Sequence, residues 1–134
     1  YWAIVKNQLK QDSGNLIHFL RKNRKINKSF SSKTLKKGFL KAELNYQFIK
    51  KLNNYFLYEI TLLTGRHHQI RVQLSTIGSP IKGDIKYGAK RTNKDGSIHL
   101  HSRQIEFIHP VKKTTIVIKS PPPKNDIIWK SCMK

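Results

Sequence analysis

Cysteine is nearly absent: Cys132 is the only one in 134 residues. An intramolecular disulfide framework and a cysteine-rich zinc module are both excluded. No apolar run approaches the roughly 18–20 residues that a spanning helix needs, so no membrane association is expected. The first residues also lack the charged-then-apolar pattern of a secretory leader. The expected location is the cytoplasm. Negative charge is scarce as well, with only seven Asp and Glu.

Against those acids stand 27 Lys and Arg, leaving a formal charge of +20. Self-repulsion of that size opposes compaction, and a polyanion is the natural partner. The basic residues run along the whole chain, densest over 6–41, 82–94 and 112–134, so they do not form a single tail. Nucleic acid is the leading partner, with a generally lysine-rich background as the plainer alternative. At 37% apolar and 10% aromatic residues, the chain has enough for one modest core and a single domain over 1–134.

The chain opens on Tyr1-Trp2-Ala3-Ile4-Val5, an apolar β-favouring run. A strand beginning at the first residue implies a partner outside these residues, and the expectation is a C-terminal portion of a larger protein. Residues 8–15 read as a turn, with Asp12-Ser13-Gly14-Asn15 as its breaker cluster. Leu16, Phe19 and Leu20 have the spacing of a short helical turn that includes His18. Residues 21–38 read as a basic exposed loop. Ala42, Leu44, Tyr46 and Phe48 alternate, as do Phe56, Tyr58, Ile60 and Leu62, with Asn53-Asn54 between. That is an antiparallel hairpin.

The period then changes. Ile70, Leu74 and Ile77 mark a helix stopped by Gly78, with Thr64 as its expected N-cap. Ile98–His101 and Ile105–Phe107 read as one interrupted strand, Thr114–Lys119 as another, and 127–129 as a last apolar patch. The class is α+β, with a mainly antiparallel sheet and short helices.

Thr64-Gly65-Arg66-His67-His68-Gln69-Ile70-Arg71 joins a strand end to a helix start, where unpaired N–H groups attract anions. Arg71 falls beside the buried stripe and needs an anionic partner if it is held in a dry site. Glu59 lies on the outer face of its strand and Asp84 sits in a loop. The expected partner is therefore a phosphate or an acid from outside these residues. The alternative is a packed stem whose charged head reaches water. His99 and His101, with His109 or the His67–His68 pair, are a weak metal constellation because no Cys or carboxylate has matching spacing. The segment 78–84 lacks the lysine of a phosphate-binding loop, Asp84 standing in its place. Cys132 reads as an inert thiol.

Five ordered motifs carry a resemblance. They are Tyr1-Trp-Ala-Ile-Val5, Thr64-Gly-Arg-His-His-Gln-Ile-Arg71-Val-Gln-Leu74, Gly78-Ser-Pro-Ile-Lys-Gly-Asp84 with Tyr87-Gly88, Leu100-His-Ser102 and Phe107-Ile-His-Pro110. Over residues 1 to about 123 the chain resembles the C-terminal part of an RluA-type RNA pseudouridine synthase. The resemblance implies a mixed, mostly antiparallel sheet around an RNA-binding cleft. It implies isomerisation of uridine in ribosomal or transfer RNA, without cofactor or metal. It also implies that the target nucleotide is flipped from its stack.

In that family an aspartate inside an upstream R-L-D motif attacks the uridine; the uracil is detached, rotated and rejoined through carbon. By position, Tyr1 matches the tyrosine that stacks on the flipped base, and Arg71 the basic residue that holds the aspartate ionised. Ile70 would wall the pocket, with Arg66, His67 and His68 as further substrate-binding candidates. The Gly83-Asp84 loop and the His101 strand match fold-supporting motifs. No R-L-D occurs in these residues. The expectation is an enzyme portion that is inactive alone and whose missing partner is the N-terminal half of the same protein. The competing reading is a basic RNA-binding module that converts nothing.

Overall fold

The computed structural model covers residues 1–134. Strands dominate: β1 (Trp2–Val5), β2 (Ser13–Asn23), β3 (Lys28–Ser32), β4 (Leu40–Lys51), β5 (Phe56–Leu62), β6 (Leu100–His101), β7 (Gln104–Ile108) and β8 (Thr115–Lys119). Two short helices accompany them, α1 (Gln69–Thr76) and α2 (Ile127–Cys132), with one 3₁₀ turn at Ile85–Tyr87. Six strands form one sheet in the order β3-β2-β4-β5-β1-β6, and β7 and β8 form a separate pair. Every pairing is antiparallel.

The alternation read for β4 and β5 is the register observed, with Leu44 opposite Leu62, Tyr46 opposite Ile60 and Phe48 opposite Tyr58. Facing residues share one side of the pleat. Ala3 and Val5 of β1 join that side, and Ile70 and Leu74 of α1 cover it to make the main core. The opposite side is smaller. There Ile4 and Leu57 meet Trp129 and Cys132 of α2. The residues expected only as a terminal apolar patch thus form a capped helix, Asp126 accepting a hydrogen bond from the Trp129 N–H at 2.9 Å.

Several expectations are overturned by long-range pairing. Residues 16–20 are strand, not helical turn: Leu16, His18 and Leu20 alternate equally well, and β4 pairs with this segment from Ser13 to Leu20. Ser13–Asn15, read as breakers, begin β2, and Gly14 is tolerated because the Tyr46 ring lies where a side chain would stand. The basic segment 21–38 is largely exposed, with Ser29 buried, but it is not a loop. Its first part is a hairpin, with Arg21 opposite Phe30 and Asn23 opposite Lys28.

Thr64 does not cap α1. Its hydroxyl donates to Gln69 Oε1 at 2.8 Å and accepts from the Glu43 N–H at 2.9 Å, so the helix starts only after an intervening turn. His68 occupies the N-cap position with φ 53° and no side-chain cap. Nor are 98–101 and 105–107 one strand. β6 pairs with β1, then Arg103 turns away to stack on Trp2 at 4.6 Å and donates to Ser120 O at 2.7 Å, sending β7 into its own hairpin.

Candidate active site

The strand-to-helix turn after β5 is built on Gln69, whose buried side chain accepts from the Arg66 N–H at 2.9 Å and donates to Glu43 O at 3.0 Å. This clamp throws His67 and His68 towards β3 and the 3₁₀ turn. Their rings stack at 3.7 Å. His67 meets Ser29 Oγ at 2.9 Å through Nδ1 and Asn27 Oδ1 at 3.1 Å through Nε2. His68 lies between Tyr87 Oη, 2.7 Å from Nδ1, and Arg71 Nη1, 3.1 Å from Nε2.

Those partners decide the state of His68. A guanidinium only donates, so Nε2 must accept and the ring proton sits on Nδ1, directed at Tyr87. Burial and the Arg71 charge push the His68 pKa down to about 4, so the ring is neutral at physiological pH. Its left-handed backbone is a conformation that ordinary residues rarely adopt, and the two ring hydrogen bonds hold it there. Tyr87 is anchored too, accepting from the Ser29 N–H at 2.9 Å.

The expectation that no acid of this chain serves Arg71 is overturned. Asp84, only 1% exposed, takes the Arg71 guanidinium in a two-point pair, Nε to Oδ2 at 2.9 Å and Nη2 to Oδ1 at 2.8 Å. The 13-residue separation hides this in sequence, but the 3₁₀ turn after Asp84 brings the loop back over α1. The guanidinium also lies 4.9 Å from the Tyr87 ring centroid. The hydrogen bonds to Asp84 raise the already high pKa of Arg71. Further N–H donors on Nη1 and Nη2 remain unengaged, and the side chain is 20% exposed.

The structure thus brings together Arg71, His68 and His67, while Ile70 is buried in the main core. Arg66 points elsewhere, its Nε donating to Lys41 O at 2.9 Å on the exposed surface. Tyr1 pairs with Ile60 through both backbone groups, N–H to O at 2.9 Å and O to N–H at 2.7 Å. By the alternation of β1, Tyr1 falls on the same side as Ala3 and therefore as α1. It is 39% exposed, and neither a hydrogen bond nor a ring contact joins it to Arg71.

Ser29, Asn27, Tyr87 and Asp84 were missed as site residues. Asp84 carried a readable signal: a lone acid beside Gly83, between Ile81 and Ile85 in a basic segment, is placed for burial against a cation. Of the histidines weighed as metal ligands, His99 and His101 are engaged by different groups. His99 meets Asp126 Oδ2 at 3.0 Å, and His101 meets Ser120 O at 3.0 Å.

Residues 1–76 match the sequence model of the RNA pseudouridylate synthase family. The chain belongs to that family. Its RluA type is visible in the relatives. An uncharacterized RNA pseudouridine synthase, YlyB of Bacillus subtilis, is 29% identical over 125 residues, covering 93% of this chain and 40% of the relative. The ribosomal large subunit pseudouridine synthase C of Buchnera aphidicola subsp. Baizongia pistaciae is 35% identical over 97 residues, covering 67% of this chain and 30% of the relative. This synthase-family chain therefore spans well under half the length of these relatives. Its fold is that of human RNA pseudouridylate synthase domain containing 4, with a TM-score of 0.73 at 20% identity over 98% of this chain and 59% of that one.

Proposed function

We propose that this chain is part of an enzyme that isomerises uridine to pseudouridine in ribosomal or transfer RNA. In this reading Tyr1 lies against the flipped base and Ile70 backs the pocket. Arg71 holds an aspartate supplied by an R-L-D segment outside these residues. The reaction breaks the bond between N1 and the ribose and forms one from C5; the C5 proton is lost and N1 regains a proton. The observation that carries the proposal is the family match over 1–76, which contains Tyr1, Ile70 and Arg71.

Asp84 gives Arg71 a refined role. Gripping one edge of the guanidinium, it stops the side chain from swinging and leaves the unengaged N–H groups aimed in a fixed direction. A second carboxylate meeting those donors would stay ionised, as attack on the uridine requires. His68, neutral and accepting from Nη1, adds no competing positive charge.

Release of tritium from RNA labelled at uridine C5 tests the proposal. The chain alone is expected to release none. Fusing an R-L-D-bearing segment from another synthase of the family ahead of Tyr1 is expected to restore release, and Arg71→Met in the fusion to abolish it. Tritium release by the unfused chain would mean that the nucleophile is misassigned. A folded fusion that binds RNA without product would favour the simple binding module.

A further inference from the structure

A concave surface lies at the far end of β1 from Tyr1. It is a groove of about 680 Å³ whose lining includes Lys6, Tyr55, Lys82, Lys90 and Arg91 and contains no acid. The strand rise puts it roughly 15 Å from Tyr1. None of these cations takes part in an ion pair within the chain. Gathered in one concavity, they repel one another until an anion enters.

Lys82 is the built element. Its backbone is fastened to the sheet, the N–H donating to Ile4 O at 2.9 Å and the O accepting from the His99 N–H at 3.0 Å. Its Nζ donates to Asn93 Oδ1 at 2.5 Å and lies 5.4 Å from the Tyr55 ring centroid. Asn93 is committed in turn, donating to Ser97 O at 2.8 Å and to His99 Nδ1 at 2.9 Å. The ammonium is thus held in place, where an ordinary surface lysine would sample many rotamers.

The other cations arrive from separate segments, Lys6 just after β1, and Lys90 and Arg91 after the 3₁₀ turn. Cations drawn from different segments and shared over a groove of this volume suit a strand of successive phosphates better than one compact anion. The C-terminal end of α1 also adjoins the groove, Asn7 donating to Gly78 O at 3.0 Å. That end carries partial negative charge, which disfavours a tight single-phosphate cradle. A basic groove with an aromatic wall has the character of a single-strand nucleic-acid track.

We propose that this groove holds the phosphodiester backbone of RNA at a point remote from the reacting uridine. The inference rests on the reading of RNA as substrate. Fluorescence anisotropy with one labelled RNA stem-loop carrying a single-stranded extension tests it across a salt series. The groove variant K6Q/K90Q/R91Q removes exposed cations. K112Q/K119Q/K124Q removes the same charge from elsewhere on the surface.

Each lost phosphate contact reduces the salt slope by about 0.7–0.9, so the groove variant is expected to lose about 2 from the slope and roughly tenfold in affinity. The control variant is expected to change affinity by less than about twofold. In addition, 4-thiouridine placed in the extension is expected to photo-cross-link to the peptide containing Tyr55. Equal losses in both variants, or no loss in the groove variant, would overturn the groove while leaving RNA binding intact. Displacement of the RNA by millimolar inorganic phosphate at constant ionic strength would also overturn it, marking a small-anion site instead. Absence of wild-type binding would remove the RNA reading itself.

Discussion

The guanidinium of Arg71 closes on the carboxylate of Asp84 along its Nε–Nη2 edge, at 2.9 and 2.8 Å. The pair joins α1 to the loop that follows it, and the carboxylate side is shut off from water. Removing one partner of such a pair leaves a buried charge unanswered, whereas removing both does not.

Asp84→Ala is therefore expected to destabilise the chain by about 3 kcal/mol, towards the low end for a buried pair because Arg71 keeps some solvent contact. Asp84→Ala combined with Arg71→Met is expected to lose less than Asp84→Ala alone. Urea unfolding followed by tryptophan fluorescence measures both. A double variant less stable than Asp84→Ala would show that the pair is not what stabilises this corner.

His68 supplies a pH test. Its pKa in the folded chain, about 4, lies below the ordinary histidine value of 6.5, so the unfolded chain binds the proton more readily. Its contribution to stability is complete above about pH 6.5 and is lost as pH falls towards 4. Burial lowers the pKa of His18 and His99 as well, in the same direction. The urea midpoint is expected to drop between pH 7 and pH 4.5, and His68→Gln to flatten part of that drop. An unchanged pH profile in His68→Gln would refute the assignment.

Gly83 stands at φ +89°, and a Cβ there would come within 2.6 Å of the Asn93 amide and 2.8 Å of Ser97 O. Gly83→Ala is expected to cost about 1–2 kcal/mol for the left-handed backbone alone, with displacement of Asn93 adding to it. Because Asn93 anchors Lys82, the same variant is expected to weaken RNA binding even where it remains folded. A melting temperature equal to wild type would show that the loop relaxes freely.

Cys132 lies at the end of α2 against Ile4 and Leu57. Burial pushes its thiol up to about 11, so almost no thiolate exists near neutral pH. Alkylation by iodoacetamide at pH 7.5 is expected to be slow in the folded chain and fast in urea. Rapid alkylation without denaturant would mean that α2 detaches readily from the sheet.

Much of this architecture was legible in the chain itself. The hairpin of β4 and β5 declared itself because two strands close in sequence each alternate cleanly and share a turn. α1 was legible from the spacing of Ile70 and Leu74, and the motif from Thr64 to Arg71 drew attention to the right turn. β2 was not legible. Leu16 and Leu20 satisfy a helical spacing and an alternating one equally, and only hydrogen bonds to β4, some 28 residues on, choose between them. The hairpin of β2 and β3 was masked by its own charge, because strands half exposed at a sheet edge need few apolar residues.

What residue order alone determined was local: the alternation, the breakers, the excess of positive charge and the ordered motifs that place the chain in its family. What tertiary structure decided was which charges meet. Arg71 looked orphaned because burial and charge pairing depend on distances through space, and the turn at residues 85–87 converts 13 residues of chain into a 2.8 Å contact. The same holds for Lys82 and Asn93. Side-chain chemistry is written residue by residue, but the electrostatic partner of a buried charge is set by the folded path between them.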